Sequence, residues 1–159
     1  APFTGTKSTF RIFNKKRLMT LGRNGFGPAE GEHWLFWNYA GVPFMGRTRS
    51  SINDKTFLFS PEIIRYTING YFALKKDMIR LGMGKFGCPT NVNSGVHAIF
   101  LAFQMCDHVN LFGFSFNMHM LNERRDSISP RMSRFHDWSF DTMMLRMLHY
   151  GGKINLCST

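Results

Sequence analysis

The chain has 159 residues, 43% hydrophobic and 15% aromatic, and its 20 Lys and Arg outnumber 10 Asp and Glu to give a net charge of +10. That length and apolar content suit one domain with a filled core and exclude an intrinsically disordered chain. No apolar run reaches the 18 or more residues of a membrane-spanning helix, no signal-peptide pattern is present, and the positive balance favours anionic partners such as nucleic acid, an anionic membrane or a phosphorylated substrate.

The charge is uneven: Lys7, Arg11, Lys15, Lys16, Arg17 and Arg23 all precede the first acid, Glu30. Residues 22–32 hold four glycines and a proline and read as a loop. His33 to Tyr39 is aromatic and predicts a buried strand, residues 41–55 are polar and turn-rich, and Thr56 to Phe59 predicts a short strand. Ser60-Pro61-Glu62 opens a helix: Ser caps, Pro suits the first helical position, and Glu complements the dipole. Its apolar face, from Ile63 to Ile79, carries it to about Arg80. Gly82 to Asn93 reads as a glycine-rich loop, Gly95 to Met105 as a buried helix, and Val109 to Phe114 as a core strand. Asn117 to Phe135 is polar and irregular. Ser139 to Tyr150 predicts a helix stopped by Gly151-Gly152, and Lys153 to Cys157 a final strand. Helices alternating with apolar strands predict an α/β layered fold with a mainly parallel sheet.

Three cysteines, Cys88, Cys106 and Cys157, form no CxxC pair, so a zinc site is unsupported. In an oxidising compartment an odd count leaves at least one thiol free or paired outside the chain. Gly82-Met83-Gly84-Lys85-Phe86-Gly87 matches GxGxxG, but it follows a predicted helix and leads into Cys88-Pro89. A dinucleotide fingerprint follows a strand and opens a helix, so this match does not predict dinucleotide binding. Asn93-Ser94-Gly95 precedes an apolar helix, where Ser94 can cap and backbone N–H groups can face a phosphate. His136 follows a loop carrying Arg124, Arg125, Arg131 and Arg134 and precedes Asp137 and Asp141. Its near-neutral titration suits a general base, while the plain reading is a histidine bonded to a neighbouring aspartate. His97 and His108 read as structural, and His149 ends a helix, where positive charge is favoured.

Residues 89–116 contain Ser94-Gly95, Ala102-Phe103, Cys106-Asp107-His108-Val109 and Phe112-Gly113-Phe114. This combination resembles the small motif of animal-type sialyltransferases. His136 with Asp141 resembles the family's very small motif, a His followed four residues later by Glu, with Asp standing for Glu. His119 in His119-Met120-Leu121-Asn122 falls where the family has its third motif. Ala1-Pro2 and Gly5-Thr6-Lys7-Ser8-Thr9 resemble the end of the large motif, while residues 20–60 carry little of the resemblance.

The resemblance implies a Rossmann-like variant of the glycosyltransferase A fold. It makes residues 1–159 one catalytic domain without its N-terminal part, with the end of the large motif at 1–9, the small motif at 89–116, the third at 119–122 and the very small motif at 136–141. It further implies inverting, metal-independent transfer from CMP-sialic acid, with no cofactor, to galactose, N-acetylgalactosamine or sialic acid on a glycoprotein or glycolipid. His136 would be the base, His119 would hydrogen-bond the departing phosphate, Asn93, Ser94 and Gly95 would hold the donor, and Asp141 would support the site. Cys106 would form a disulfide with a partner upstream; Cys88 and Cys157 are left open. The Golgi lumen, a type II anchor upstream and no nucleic-acid partner complete that expectation. The alternatives are an inactive relative and a basic nucleic-acid-binding module, the latter resting on charge and aromatic content.

Overall fold

The computed structural model describes residues 6–23, 27–43, 55–87, 91–114 and 136–157. The chain divides into two compact units, Ala1–Ile64 and Arg65–Thr159.

The first unit holds a three-stranded parallel sheet in the order β1 (Phe10–Phe13), β2 (His33–Phe36), β3 (Thr56–Leu58). Phe10 is in register with His33, and Leu35 with Phe57. Helix α1 (Lys15–Arg23) follows β1 directly. Asn14 starts it, accepting the Arg17 N–H on its side-chain oxygen at 3.0 Å. Neither β1 nor α1 is predicted from the sequence alone. Lys15, Lys16 and Arg17 put positive charge at the wrong end of the helix dipole. Burial outweighs that: Leu18 is fully buried and joins Phe13, Trp34 and Phe36 in one cluster. Gly41 leaves room for it, since a Cβ there would lie 3.2 Å from the Leu18 methyl. The strand expected over His33–Tyr39 ends early, at Phe36. Asn38 caps a 3-10 turn, Tyr39–Gly41, accepting from Ala40 N–H at 2.9 Å, and the turn redirects the backbone.

Helix α2 (Pro61–Arg80) matches its sequence signals. Ser60 Oγ accepts the Ile63 N–H at 3.3 Å and Pro61 occupies the first helical position. The helix ends at Gly82, φ +73°, where Gly82 N–H bonds Ile79 O and Met83 N–H bonds Met78 O. This is the glycine-terminated helix stop that satisfies the last carbonyls. The first glycine of the GxGxxG match is therefore spent on a helix end, and described residues 83–87 form neither strand nor helix. A phosphate-binding turn between strand and helix is not built there.

The second unit contains helix α3 (Ser94–Met105), strand β4 (Asn110–Phe112), helix α4 (Trp138–Tyr150) and strand β5 (Asn155–Cys157). β4 and β5 pair in parallel, Leu111 opposite Leu156. Tyr71, Met78, Val96, Ile99, Phe140 and Met144 form its buried centre. Helices α2 and α3 approach closely because Gly70 lacks a side chain: a Cβ there would stand 3.0 Å from the Phe100 ring. Gly152, φ +67°, ends α4 with the same pair of hydrogen bonds, Gly152 N–H to His149 O and Lys153 N–H to Leu148 O. No described helix is long and apolar enough to cross a membrane. The α/β class with parallel pairing agrees with the sequence reading, with the described strands arranged in two sheets.

Candidate active site

Three segments of the second unit meet: the turn before α3, the junction before α4, and the middle of α2. Asn93, not Ser94, caps α3, correcting the sequence expectation. Its side-chain oxygen accepts the Val96 N–H at 2.9 Å, and Ser94 is the first helical residue. Asparagine caps at least as well as serine, and Asn93 has the extended backbone a cap requires. The other end of the same amide donates to Asp141 Oδ2 at 2.5 Å. Asn93 is thus committed internally at both ends, as cap and as bridge.

Gly95 lies one residue into the helix. A Cβ there would meet Asn93 Oδ1 at 3.1 Å and the Phe114 ring at 3.3 Å. Ser94-Gly95 and Phe112-Gly113-Phe114, the two ends of one sequence motif, therefore pack together, and glycine is the residue that lets them.

Asp137 caps α4, accepting the Phe140 N–H on Oδ1 at 3.1 Å. Its other oxygen takes a 2.8 Å bond from Lys75 Nζ on α2, and both side chains are buried. Lys75 also donates to the Gly87 carbonyl. One turn further along α4, Asp141 Oδ1 accepts the Tyr71 hydroxyl at 2.8 Å. Burial pushes the Asp141 carboxyl above its usual range, opposed by the bonds from Tyr71 and Asn93 and by the electrostatic influence of nearby His136. Asp137 adds to the upward push. Burial, with the neighbouring Asp141 carboxylate, likewise raises the Tyr71 phenol.

His136 is half-buried at the entrance to α4, its ring edge-on to Trp138 with centroids 5.3 Å apart. Nδ1 lies 3.1 Å from the Asn91 carbonyl. A carbonyl can only accept, so Nδ1 carries the hydrogen, and in neutral imidazole Nε2 holds the lone pair. The plain reading of a histidine bonded to a nearby aspartate is not what the structure holds: Asp137 and Asp141 give their oxygens to Lys75, Phe140 N–H, Tyr71 and Asn93. His97 is buried in the core, and desolvation lowers its pKa to about 4, so it is neutral. His108 is exposed, and His149 Nδ1 bonds the Ile154 carbonyl at 3.2 Å.

His119 and the segment around it lie outside the described residues, as do Cys88 and residues 1–5. Cys106 is an exposed free thiol just after α3, and Cys157 a half-buried free thiol on β5. No group of three or more metal-ligating side chains occurs among the described residues. Local sequence pattern does not single out Tyr71 or Lys75. Their polar groups sit on the apolar face of an amphipathic helix, a mismatch that the 71/75 spacing against 137/141 could have flagged.

A family model for glycosyltransferase family 29 (sialyltransferase) matches residues 29–153. The chain belongs to this sialyltransferase family. The match spans Asn93, Ser94, Gly95, Cys106, His119, His136 and Asp141, and it reaches into residues 29–60, where the sequence read alone carries little of the resemblance. It begins after residues 1–9. No curated protein matches the chain. At family level the activity is glycosyl transfer of the sialyltransferase type, which implies a nucleotide-sugar donor and a glycan acceptor.

Proposed function

We propose that this sialyltransferase-family chain carries the acceptor-activating side of a CMP-sialic acid site, with His136 as general base. The observation that supports it is the Nδ1 bond to the Asn91 carbonyl, which leaves the Nε2 lone pair to take a proton. The acceptor hydroxyl attacks the anomeric carbon, the carbon–phosphate oxygen bond breaks, and CMP leaves with that electron pair. The hydroxyl proton passes to Nε2. Phosphate is a good leaving group, so the acceptor needs a base more than the leaving oxygen needs an acid. His119 hydrogen-bonds the departing phosphate in this reading.

On the donor side, the Ser94 hydroxyl and the first-turn N–H groups at Ser94 and Gly95 meet the phosphate or carboxylate, aided by the positive end of the α3 dipole. Asn93 acts there through the cap and through Asp141. The acceptor is a galactose, N-acetylgalactosamine or sialic acid terminus, inversion follows from a single in-line displacement, and no metal takes part. Cys106 pairs with a cysteine upstream, and the intact protein resides in the Golgi lumen behind a type II anchor.

The test is CMP release from CMP-sialic acid by the intact protein, with galactose-, N-acetylgalactosamine- and sialic acid-ended acceptors supplied in turn and EDTA present. We expect release by the parent, and a loss of roughly 100- to 10,000-fold in kcat for His136→Ala, the usual worth of a general base. A near-parental rate in that variant overturns the assignment of the base. No release by a folded parent on any of the three acceptors overturns the donor reading.

A further inference from the structure

Lys75 is a buried charge that the chemistry above does not use. Only 6% of it is exposed, and a cation so placed is costly unless paired and hydrogen-bonded. A well-packed apolar pair commonly serves stability as well as a buried ion pair does, so Lys75 with Asp137 calls for a reason beyond stability.

The ammonium's partners supply one. Gly87 precedes the segment that leads to Asn91, whose carbonyl holds His136, and to Asn93-Ser94-Gly95. Asp137 is the residue next to His136 and caps the helix that His136 enters. The Phe140 ring, 5.5 Å from Nζ, covers the same cation. Tyr71, one turn earlier on α2, meets Asp141, one turn later on α4, so two rungs of equal spacing grip the start of α4. The charged rung is the one beside His136.

We propose that Lys75 is a positioning residue for His136: bonded to the Asp137 carboxylate and the Gly87 carbonyl, it anchors on α2 the start of α4, at which the imidazole is held. This rests on His136 being the base. Lys75 does not touch substrate; it acts through the place it gives the ring.

Two variants test it. Lys75→Met keeps the length of the stem and removes the ammonium. Asp137→Asn keeps a capping oxygen and removes the charge, and it carries the same test if Lys75→Met does not fold. Each is made in the intact protein alone and with His136→Ala, and CMP release is measured well below the melting temperature and scaled to folded protein. A misplaced base predicts a fall in kcat of roughly 10- to 100-fold, with the CMP-sialic acid KM within about twofold of the parent. In the His136→Ala background the same substitutions lower the residual rate no further, because the ring they position is gone. Losses that multiply in the double variants overturn the positioning role and leave the base assignment standing. Lower melting with unchanged kcat per folded molecule overturns it equally. A full rate in His136→Ala alone overturns both.

Discussion

Each unit of this chain buries a carboxylate with a shifted pKa, Glu32 in the first and Asp141 in the second, and the two shift in opposite directions. In the first unit Glu32 accepts the Ala29 N–H at 3.0 Å, the Arg11 guanidinium at 2.5 Å and the Trp34 indole N–H at 3.3 Å. Burial pushes its pKa up, yet these donors together hold it below the ordinary value. In the second unit Asp141 has two neutral donors, Tyr71 and Asn93, with the Asp137 carboxylate nearby, and burial wins. The sign in each case is the balance of desolvation against the donors, and only Glu32 has a charged donor. Their cations differ as well: Arg11 is half-exposed with access to water, whereas Lys75 is enclosed.

The largest test of that contrast removes each cation. Lys75→Met leaves Asp137 buried without its counter-charge and is expected to cost about 3–5 kcal/mol. Arg11→Met breaks a pair that solvent already screens, while Glu32 keeps two donors, and about 1 kcal/mol or less is expected. Denaturant melts of the two variants measure both, and equal losses would erase the distinction.

His97 sharpens the picture of the second unit's interior. Its pKa falls from 6.5 to about 4 on burial. The unfolded state then binds more protons between those values, so stability is complete above pH 6.5 and drains away as pH falls toward 4. The shift corresponds to roughly 3 kcal/mol across that window. His97→Leu should flatten this part of the stability–pH curve, and an unchanged slope would show that the imidazole is not the source.

Glycine at helix ends gives a smaller effect. A Cβ at Gly152 meets nothing within 4 Å, so the penalty of Gly152→Ala is the left-handed backbone alone, about 1–2 kcal/mol. A neutral result in a thermal melt would contradict the helix stop.

The carboxylates themselves provide the finest comparison. Glu32, with its pKa lowered from 4.5, contributes stability above that value that is lost as pH falls through its folded pKa. Asp141, with its pKa raised from 3.8, runs the other way: stability declines as pH rises from 3.8 to its folded value. Side-chain carboxyl NMR titrations should place the two midpoints on opposite sides of their ordinary values. Midpoints on the same side would erase the contrast between the two carboxylates.

Much of the fold is legible in the sequence because its signals are local. Ser60-Pro61 opens α2, Gly82 and Gly152 close helices, and the apolar runs at His33, Thr56 and Val109 give strands. Motif spacing likewise placed the chain in its family, since Ser94-Gly95 and Phe112–Phe114 are spaced to pack against each other. What the sequence does not show depends on partners far along the chain. Strand β1 and helix α1 exist because Leu18 is buried against Phe13, Trp34 and Phe36, which no local propensity of a lysine-rich segment announces.

The candidate site divides the same way. Sequence by itself determined which residue types lie at the two helix starts, Asn93 to Gly95 and His136 to Asp141, because capping and motif spacing are read within a few residues. Tertiary structure decided what they do. It turned Asn93 inward as cap and bridge, gave Asp141 to Tyr71 and Asn93, and set His136 Nδ1 on the Asn91 carbonyl. It also brought Lys75 to Asp137 across 62 positions. Hydrogen bonds of that span are fixed only when helices pack, since a buried polar group must take whichever partner packing brings to it.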